Sequence, residues 1–230
     1  MGEHVEFPSN GSTGGGYLAP AQEGAGLGVI VVQEWWGLVD HIVDVCERLC
    51  AEGFTALAPD LYHHGKTVPN REPDEAAKAA MARDLERAAR DLSGAVDFLQ
   101  AHPSVRGHGV AVLGFCMGGG LALWLATLRP DAVRAVVPFY GIAPNVSQPN
   151  WAALTAAVEG HYADHDDLAD PESVAAFEAQ LRDLGKEVQV FTYPGTSHAF
   201  FNDTRPEVYD EDAARQAWVR TLEFLRARLG

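Results

Sequence analysis

The sequence has 230 residues, of which 47% are hydrophobic, and this length and composition suit a single domain, residues 1–230, with one large core. Seventeen basic against thirty-two acidic residues give a formal net charge of −15, which argues against a nucleic-acid partner. No run of eighteen apolar residues predicts a membrane span, no secretory signal is visible, and three cysteines suit a reducing cytoplasm better than a disulfide framework.

Residues 4–8 and 14–19 flank a turn-rich stretch and predict an antiparallel hairpin at a sheet edge. Strands then alternate with helices, which predicts an α/β fold with a mostly parallel central sheet and helices on both faces. In chain order the predicted elements are a strand at 27–33, a helix at 40–51, a strand at 54–58, a helix at 74–101, a strand at 110–113, a helix at 121–128, strands at 132–139 and 154–158, a helix at 171–184, a strand at 187–192 and a helix at 207–229.

A short run of β-branched residues ends at a Gly-x-Cys-x-Gly turn, Gly114 to Gly118, and a helical pattern begins at once. This strand–turn–helix context is that of a nucleophile elbow, with Cys116 where serine is usual. Small neighbours let the backbone pass close to itself, and the N-terminus of the following helix favours a thiolate. The alternative is a buried structural cysteine in a glycine-rich turn.

Several polar features share one position in the predicted fold, because each follows the carboxyl end of a strand. Ligands of parallel sheets bind beyond those ends, so these side chains are expected to converge. They are Glu34, Asp60, Cys116, Tyr140, the acidic stretch after residue 158, and His198.

A thiol nucleophile needs a basic partner and an acid that orients this partner, and in α/β-hydrolase sheets the chain order is nucleophile, acid, histidine. Cys116, an acidic loop at 159–167 and His198 follow that order. His198 comes directly after the last predicted strand, where the base is expected. The candidates for the acid are Asp164, Asp166 and Asp167.

Five segments carry a distinctive combination of residues. They are Gln33-Glu34-Trp35-Trp36-Gly37, Ala58-Pro59-Asp60-Leu61-Tyr62, Gly114-Phe115-Cys116-Met117-Gly118-Gly119, Gly160-His161-Tyr162-Ala163 with Asp166, and His198-Ala199-Phe200-Phe201-Asn202. Together they resemble the dienelactone hydrolase family of α/β-hydrolases over essentially the whole chain. The resemblance implies that Asp166 is the triad acid. It also implies that Glu34 contacts the resting Cys116 until substrate binding lets the thiol turn toward His198.

The resemblance and the chemistry of a thiol together imply hydrolysis of a carboxylic ester or lactone through a thioacyl intermediate. The backbone N–H groups of Trp35 and Met117 are expected to bind the developing oxyanion. The candidate pocket residues are Trp36, Tyr62, Tyr140 and Phe200. The alternatives are a non-catalytic α/β-hydrolase scaffold that binds a small ligand, and thioester or peptide-bond cleavage on the same fold.

Dienelactone hydrolases hold the substrate carboxylate with two arginines, and neither has a matched motif here. Arg205 follows His198 in the chain, and Arg71 and Arg83 are candidates from the middle segment. The resemblance therefore implies the reaction class more firmly than the substrate.

No cofactor and no metal are predicted. Gly118–Gly120 lack the spacing and the lysine of a phosphate-binding loop. The i,i+4 pairs Cys46 with Cys50 and His161 with His165 are interpreted as core and loop residues instead of metal ligands. We expect a small-molecule ester or lactone as partner, no nucleic acid or membrane, and a monomer or small homo-oligomer.

Overall fold

The computed structural model describes residues 2–9, 11–62, 85–142 and 149–230. The chain divides into two compact units, Met1–Val110 and Ala111–Gly230. Eight strands form a mostly parallel sheet with an antiparallel N-terminal hairpin, and helices accompany the strands. The predicted α/β architecture is confirmed, whereas the assignment of the chain to one domain stays a prediction.

The described residues of the first unit contain four strands and two helices. They are β1 (Glu3–Ser9), β2 (Ser12–Ala19), β3 (Gly26–Val32), α1 (Asp40–Ala51), β4 (Phe54–Pro59) and α2 (Leu85–Ala101). β2 pairs antiparallel with both β1 and β4, and β3 pairs parallel with β4. The predicted hairpin, both buried strands and α1 are confirmed. Of the helix predicted at 74–101, residues 74–84 lie outside the described residues.

The sequence explains these elements directly. β3 and β4 are apolar runs that are buried along their whole length, as strands covered on both faces are. In α1, Ile42, Val45 and Leu49 recur at helical spacing and are fully buried. The chain leaves α1 at Gly53, whose left-handed φ of 85° few other residues adopt.

β5 (Val105–Phe115) leads into the second unit, whose described residues contain the remaining elements. They are α3 (Met117–Leu128), β6 (Val133–Phe139), a 3₁₀ turn (Trp151–Ala153), β7 (Ala157–His165), α4 (Pro171–Asp183), β8 (Val188–Ser197) and α5 (Glu211–Leu229). β6 pairs parallel with β7, and β7 pairs parallel with β8. Because the three strands are parallel, the segments after their carboxyl ends emerge at one edge of the sheet.

The strand predicted at 154–158 is wrong. A 3₁₀ turn ends at Ala153, and β7 runs from residue 157 to residue 165, so most of the expected acidic loop is a buried strand. Polar residues at buried strand positions misled the prediction. Glu159 and His161 are both buried there, and their side chains lie 3.4 Å apart, which a polarity pattern cannot show.

Other predicted boundaries also need correction. β5 runs from Val105 to Phe115 instead of 110–113, and β8 ends at Ser197 instead of 192. α3 begins at Met117 instead of Leu121, and α5 begins at Glu211 instead of Glu207. α3 begins early because its three consecutive glycines are part of the helix. α5 begins late because the side chain of Asp210 accepts the N–H of Ala213 and caps the helix there.

Candidate active site

Cys116 lies in a tight turn between β5 and α3. Its backbone has φ 53° and ψ −121°, outside the regions that residues other than glycine ordinarily adopt. A Cβ at Gly114 would lie 2.1 Å from the carbonyl oxygen of Gly118, and one at Gly141 would lie 2.0 Å from that of Cys116. The backbone therefore passes so close to itself that glycine is required at both positions, as the predicted turn demands.

Hydrogen bonds hold this strained turn. The N–H of Cys116 donates to the carbonyl of Phe139 over 2.9 Å, and the carbonyl of Cys116 accepts the N–H of Gly119 over 3.0 Å. These bonds offset a backbone strain of about 1–3 kcal/mol. Met117 is the first residue of α3, so its N–H has no acceptor within the helix, and the positive end of the helix dipole lies there.

His198 and Asp166 form a direct hydrogen bond. His198 Nδ1 lies 2.7 Å from Asp166 Oδ2, and the Asp166 side chain is fully buried. The other carboxylate oxygen accepts the N–H of Leu168 over 2.8 Å and that of Ala169 over 3.1 Å. Burial raises the pKa of Asp166, but the hydrogen bonds and the charge of His198 outweigh burial and lower this pKa. Asp166 is thus an ionised carboxylate whose orientation is fixed by the backbone.

The geometry separates Asp166 from the two neighbouring acids. Asp164 Oδ2 accepts the N–H of Gly195 over 2.9 Å, so this carboxylate is bonded to β8. Asp167 is exposed. Of the three candidate acids, Asp166 is the one hydrogen-bonded to the imidazole of His198.

The pKa of His198 is shifted by Cys116 as well as by Asp166. Burial lowers the pKa of His198, whereas Asp166 and Cys116 raise it, and the net effect is a pKa of about 10. Nε2, the ring nitrogen that faces away from Asp166, is buried and has no hydrogen-bond partner in the part of the chain that the structure describes. The structure therefore joins two of the predicted triad residues, His198 and Asp166, by a hydrogen bond, and the role of Cys116 as the nucleophile stays a prediction.

Tyr140 packs beside this imidazole, and Phe200 packs against Tyr140. The ring centroid of Tyr140 lies 5.0 Å from that of His198 in an edge-to-face arrangement, and 5.7 Å from that of Phe200. Tyr140 has a left-handed φ of 38°, and its N–H donates to the carbonyl of His161 over 2.7 Å. Both aromatic residues are buried beside the triad, and their contact with a substrate stays a prediction.

The other predicted site residues belong to the first unit. Glu34 and Trp36 follow β3 and are 2% and 9% exposed. The carbonyl of Glu34 accepts the N–H of Gly37 over 3.3 Å, and the hydroxyl of Tyr62 donates to the carbonyl of Trp35 over 2.6 Å. These bonds build an ordered turn after β3. The predicted roles of Glu34 toward Cys116 and of Trp35 and Met117 as oxyanion donors stay predictions.

A buried polar cluster in the second unit was missed by the sequence analysis. His161 is fully buried, with Nδ1 2.9 Å from the hydroxyl of Tyr193 and Nε2 3.1 Å from that of Thr221. Glu159 lies 3.4 Å from the same Nε2, and Arg220 donates to the Tyr193 hydroxyl over 3.0 Å. Burial lowers the pKa of His161, against the opposing effect of Glu159. The signal that was overlooked is the i,i+2 spacing of Glu159 and His161, which puts both on one face of a strand.

The candidate arginines do not form a carboxylate site in the described residues. Arg205 donates from Nε to Glu207 over 2.9 Å. Arg71 and Arg83 lie outside the described residues, as do His63 and His64. Within the described ranges, no cluster of three or more histidine, cysteine, aspartate or glutamate side chains is arranged to hold a metal ion. In the same part of the chain, no helix has the length and apolar character needed to cross a bilayer.

Known proteins are similar to this chain over nearly its whole length. The model of the dienelactone hydrolase family matches residues 15–229. The chain is 34% identical to the "putative carboxymethylenebutenolidase" of Aquifex aeolicus (strain VF5), over 100% of both chains. It is 33% identical to the "probable 2-oxo-3-(5-oxofuran-2-ylidene)propanoate lactonase" of Bradyrhizobium sp., over 98% of this chain and 94% of that one. A crystal structure of a "putative dienelactone hydrolase" from Klebsiella pneumoniae superposes with a TM-score of 0.88 at 27% identity, over 98% of each chain.

Proposed function

Because this chain belongs to the dienelactone hydrolase family of α/β-hydrolases, we propose that it hydrolyses a carboxylic ester or lactone with Cys116 as the nucleophile. Two relatives carry the names carboxymethylenebutenolidase and lactonase, which supports a small ester or lactone as the substrate. The observation that carries the proposal is the hydrogen bond between the imidazole of His198 and the buried carboxylate of Asp166, together with the strained turn at Cys116.

In the first half of the reaction, the Cys116 thiolate attacks the carbonyl carbon and a tetrahedral intermediate forms. The bond to the alkoxy oxygen then breaks, and the imidazolium of His198 gives that oxygen its proton. A pKa of about 10 supports this role, because His198 then carries a proton at neutral pH. The product of this half is a thioacyl enzyme, and in a lactone the freed alcohol stays on the acyl chain.

In the second half, neutral His198 takes a proton from a water molecule that attacks the thioester. The C–S bond breaks, the carboxylic acid leaves, and the thiolate–imidazolium pair is restored. Asp166 keeps Nδ1 protonated throughout, because its Oδ2 accepts the hydrogen bond from that nitrogen. Nε2 is therefore the ring nitrogen that exchanges protons.

Two backbone donors complete the proposed mechanism. The N–H groups of Met117 and Trp35 bind the oxyanion of the tetrahedral intermediate. The free first N–H of α3 supports the assignment of Met117. Glu34 contacts the resting thiol and releases it when substrate arrives, a role that rests on the resemblance of the Gln33-Glu34 pair to the family motif.

Neither alternative function has comparable support. A ligand-binding scaffold would not need a strained turn at Cys116 together with an imidazole and a buried carboxylate that interact with each other. Cleavage of a thioester or peptide bond would use the same groups, but no contact of the described residues favours it over ester hydrolysis. We place the reaction in the reducing cytoplasm, where a free thiol nucleophile stays reduced.

Turnover of p-nitrophenyl acetate and a panel of small lactones tests the proposal. We expect the purified protein to release p-nitrophenol, and acid-quenched protein to carry one acetyl group on the peptide that contains Cys116. The Cys116→Ala variant should fold, turn over neither substrate and carry no acetyl group, and Cys116→Ser should be much slower than wild type. Wild-type protein that turns over nothing in the panel, or full activity of Cys116→Ala, would remove the proposal.

A further inference from the structure

The segment that follows β3 is held as a tight turn. The carbonyl of Glu34 accepts the N–H of Gly37 over 3.3 Å, and Gly37 takes a left-handed φ of 93°. Because a peptide group is planar, this bond fixes the plane that contains both the Glu34 carbonyl and the Trp35 N–H. In a trans peptide the two groups point in opposite directions, so the Trp35 N–H points away from the interior of the turn.

The segment that follows β4 is bonded to this turn. The hydroxyl of Tyr62 donates to the carbonyl of Trp35 over 2.6 Å, and the N–H of Leu61 donates to Gln33 Oε1 over 3.2 Å. Tyr62 is itself held, because its N–H donates to Asp60 Oδ1 over 2.9 Å. The side chain of Gln33 is fully buried and that of Asp60 nearly so, which protects these bonds from competition by water.

The two peptide planes on either side of the Trp35 Cα are therefore fixed by different partners. Gly37 holds the preceding plane, and the Tyr62 hydroxyl holds the following one. Rotation about φ and ψ of Trp35 would have to break one of these bonds. The Tyr62 bond is the shorter of the two at 2.6 Å, and its removal leaves the following plane without this donor, while the 3.3 Å bond holds only the preceding plane.

We infer that Tyr62 is a positioning residue for the oxyanion hole, whose hydroxyl holds the Trp35 backbone so that the Trp35 N–H keeps one direction. The inference rests on the proposed function, since it takes Trp35 as an oxyanion donor. Preorganised donors accelerate acyl transfer because they need not reorient when charge develops on the substrate oxygen. A donor that rotates freely loses part of that advantage.

Tyr62→Phe tests the inference, because it removes only the hydroxyl and keeps the ring. Loss of a whole oxyanion donor costs about 10²–10³-fold in kcat, and loosening one is expected to cost about ten-fold. KM should change by less than about two-fold, because the donor acts on charge that develops only in the transition state. Alkylation of the thiol by iodoacetamide develops no oxyanion, so its rate should match that of wild type.

Tyr17→Phe is the matched control, since it removes another phenol hydroxyl of the first unit, one that donates to Glu47. This variant should keep the wild-type kcat and alkylation rate. A trifluoromethyl ketone forms an adduct with the thiol that carries an oxyanion. Its affinity for Tyr62→Phe should therefore fall by the same factor as kcat/KM of that variant.

Three outcomes would overturn the inference. The first is a Tyr62→Phe variant with the wild-type kcat. The second is an equal fall of ester hydrolysis and thiol alkylation in Tyr62→Phe. The third is a Tyr17→Phe variant that loses as much kcat as Tyr62→Phe. Absence of hydrolysis in the wild-type protein would instead remove the proposed function before any variant is compared.

Discussion

Two histidines of the second unit, His198 and His161, lie near carboxylates, and their pKa values move in opposite directions. Burial lowers both values, but Asp166 and Cys116 outweigh burial at His198 and raise its pKa to about 10. At His161 burial prevails over Glu159, and the pKa is lowered. The distances explain the difference, because Asp166 Oδ2 lies 2.7 Å from His198, whereas Glu159 Oε1 lies 3.4 Å from His161.

The comparison separates His198, for which we propose proton exchange, from His161, whose contacts hold strands and a helix together. Both ring nitrogens of His161 are hydrogen-bonded, Nδ1 to the hydroxyl of Tyr193 and Nε2 to that of Thr221, and burial lowers the pKa of this imidazole. A histidine bonded in this way joins β7, β8 and α5 but has no ring nitrogen available for a substrate.

The different roles of His198 and His161 can be tested by removing each imidazole in turn, beginning with His198→Gln. We expect kcat for ester hydrolysis to fall by at least about 10⁴-fold, because the variant has no proton acceptor and donor beside the thiol. Steady-state kinetics measure this loss, and thermal unfolding checks the fold. The control is His165→Gln, since His165 is exposed and its nearest charged partner, Asp164, lies 3.8 Å away. Equal losses in the two variants would contradict the assignment of His198.

Asp166→Asn should have the next largest effect, about 10³-fold on kcat, because an amide holds the imidazole less firmly and in the wrong tautomer. It should also shift the pKa of His198 from about 10 toward its ordinary value, since the carboxylate charge and its hydrogen bond both raise this pKa. NMR titration of the imidazole measures the shift. Asp164→Asn is the matched control and should leave both quantities unchanged. An unchanged titration of His198 in Asp166→Asn would show that this carboxylate is not its charge partner.

His161→Phe should reverse the pattern and affect stability instead of activity. The variant leaves the hydroxyls of Tyr193 and Thr221 and the buried carboxylate of Glu159 without the imidazole, so the free energy of unfolding should fall by about 2–4 kcal/mol. Denaturant unfolding measures this change. Thr221→Val removes one of the same hydrogen bonds and should cost about 1 kcal/mol. The result that would contradict this prediction is a lower kcat in His161→Phe protein that is still folded, because His161 would then affect activity as well as stability.

The two histidines should also give stability a pH dependence with two separate windows. The folded pKa of His161 is lowered, so its contribution is complete above the unfolded pKa of about 6.5 and is lost as pH falls below that value, by at most about 1.4 kcal/mol per pH unit. The folded pKa of His198 is raised, so its contribution is complete below about 6.5 and is lost as pH rises toward 10.

Denaturant unfolding at a series of pH values checks both windows. His161→Phe should flatten the stability curve on the acid side, and His198→Gln should flatten it on the alkaline side. Flattening on the same side by both variants would contradict the opposite pKa shifts.

The elements with an unambiguous pattern could be predicted from the sequence. β3 and β4 are continuous apolar runs, and α1 has an apolar stripe that ends at a glycine, so local propensity and burial agree. The turn at Cys116 was equally predictable, because its Gly-x-Cys-x-Gly pattern includes Gly114, where a Cβ would lie 2.1 Å from the carbonyl oxygen of Gly118. The chain order of thiol, acid and imidazole then identified His198 as the group that contacts Asp166.

The predictions that failed concern residues whose positions depend on contacts between distant parts of the chain, which the local sequence pattern does not show. β7 was assigned too short because Glu159 and His161 are polar, and their burial depends on partners from β8 and α5 that are distant in sequence. The acid could not be chosen by spacing alone, since only the folded contacts distinguish Asp164, which accepts the N–H of Gly195, from Asp166, which is bonded to His198. The resemblance to the family supplied Asp166, and the hydrogen bonds give the physical reason for it.

The N–H groups of Leu168 and Ala169 hold the Asp166 carboxylate, so the length of the segment after Asp166 matters more than its side chains. Leu168 is 69% exposed and Asp167 is exposed too, so their side chains are available for replacement. The backbone N–H groups at 168 and 169 must nevertheless stay in register with the carboxylate. Substitutions at 167 and 168 should therefore be tolerated, whereas one inserted or deleted residue would move the Asp166 carboxylate away from the two amides that hold it.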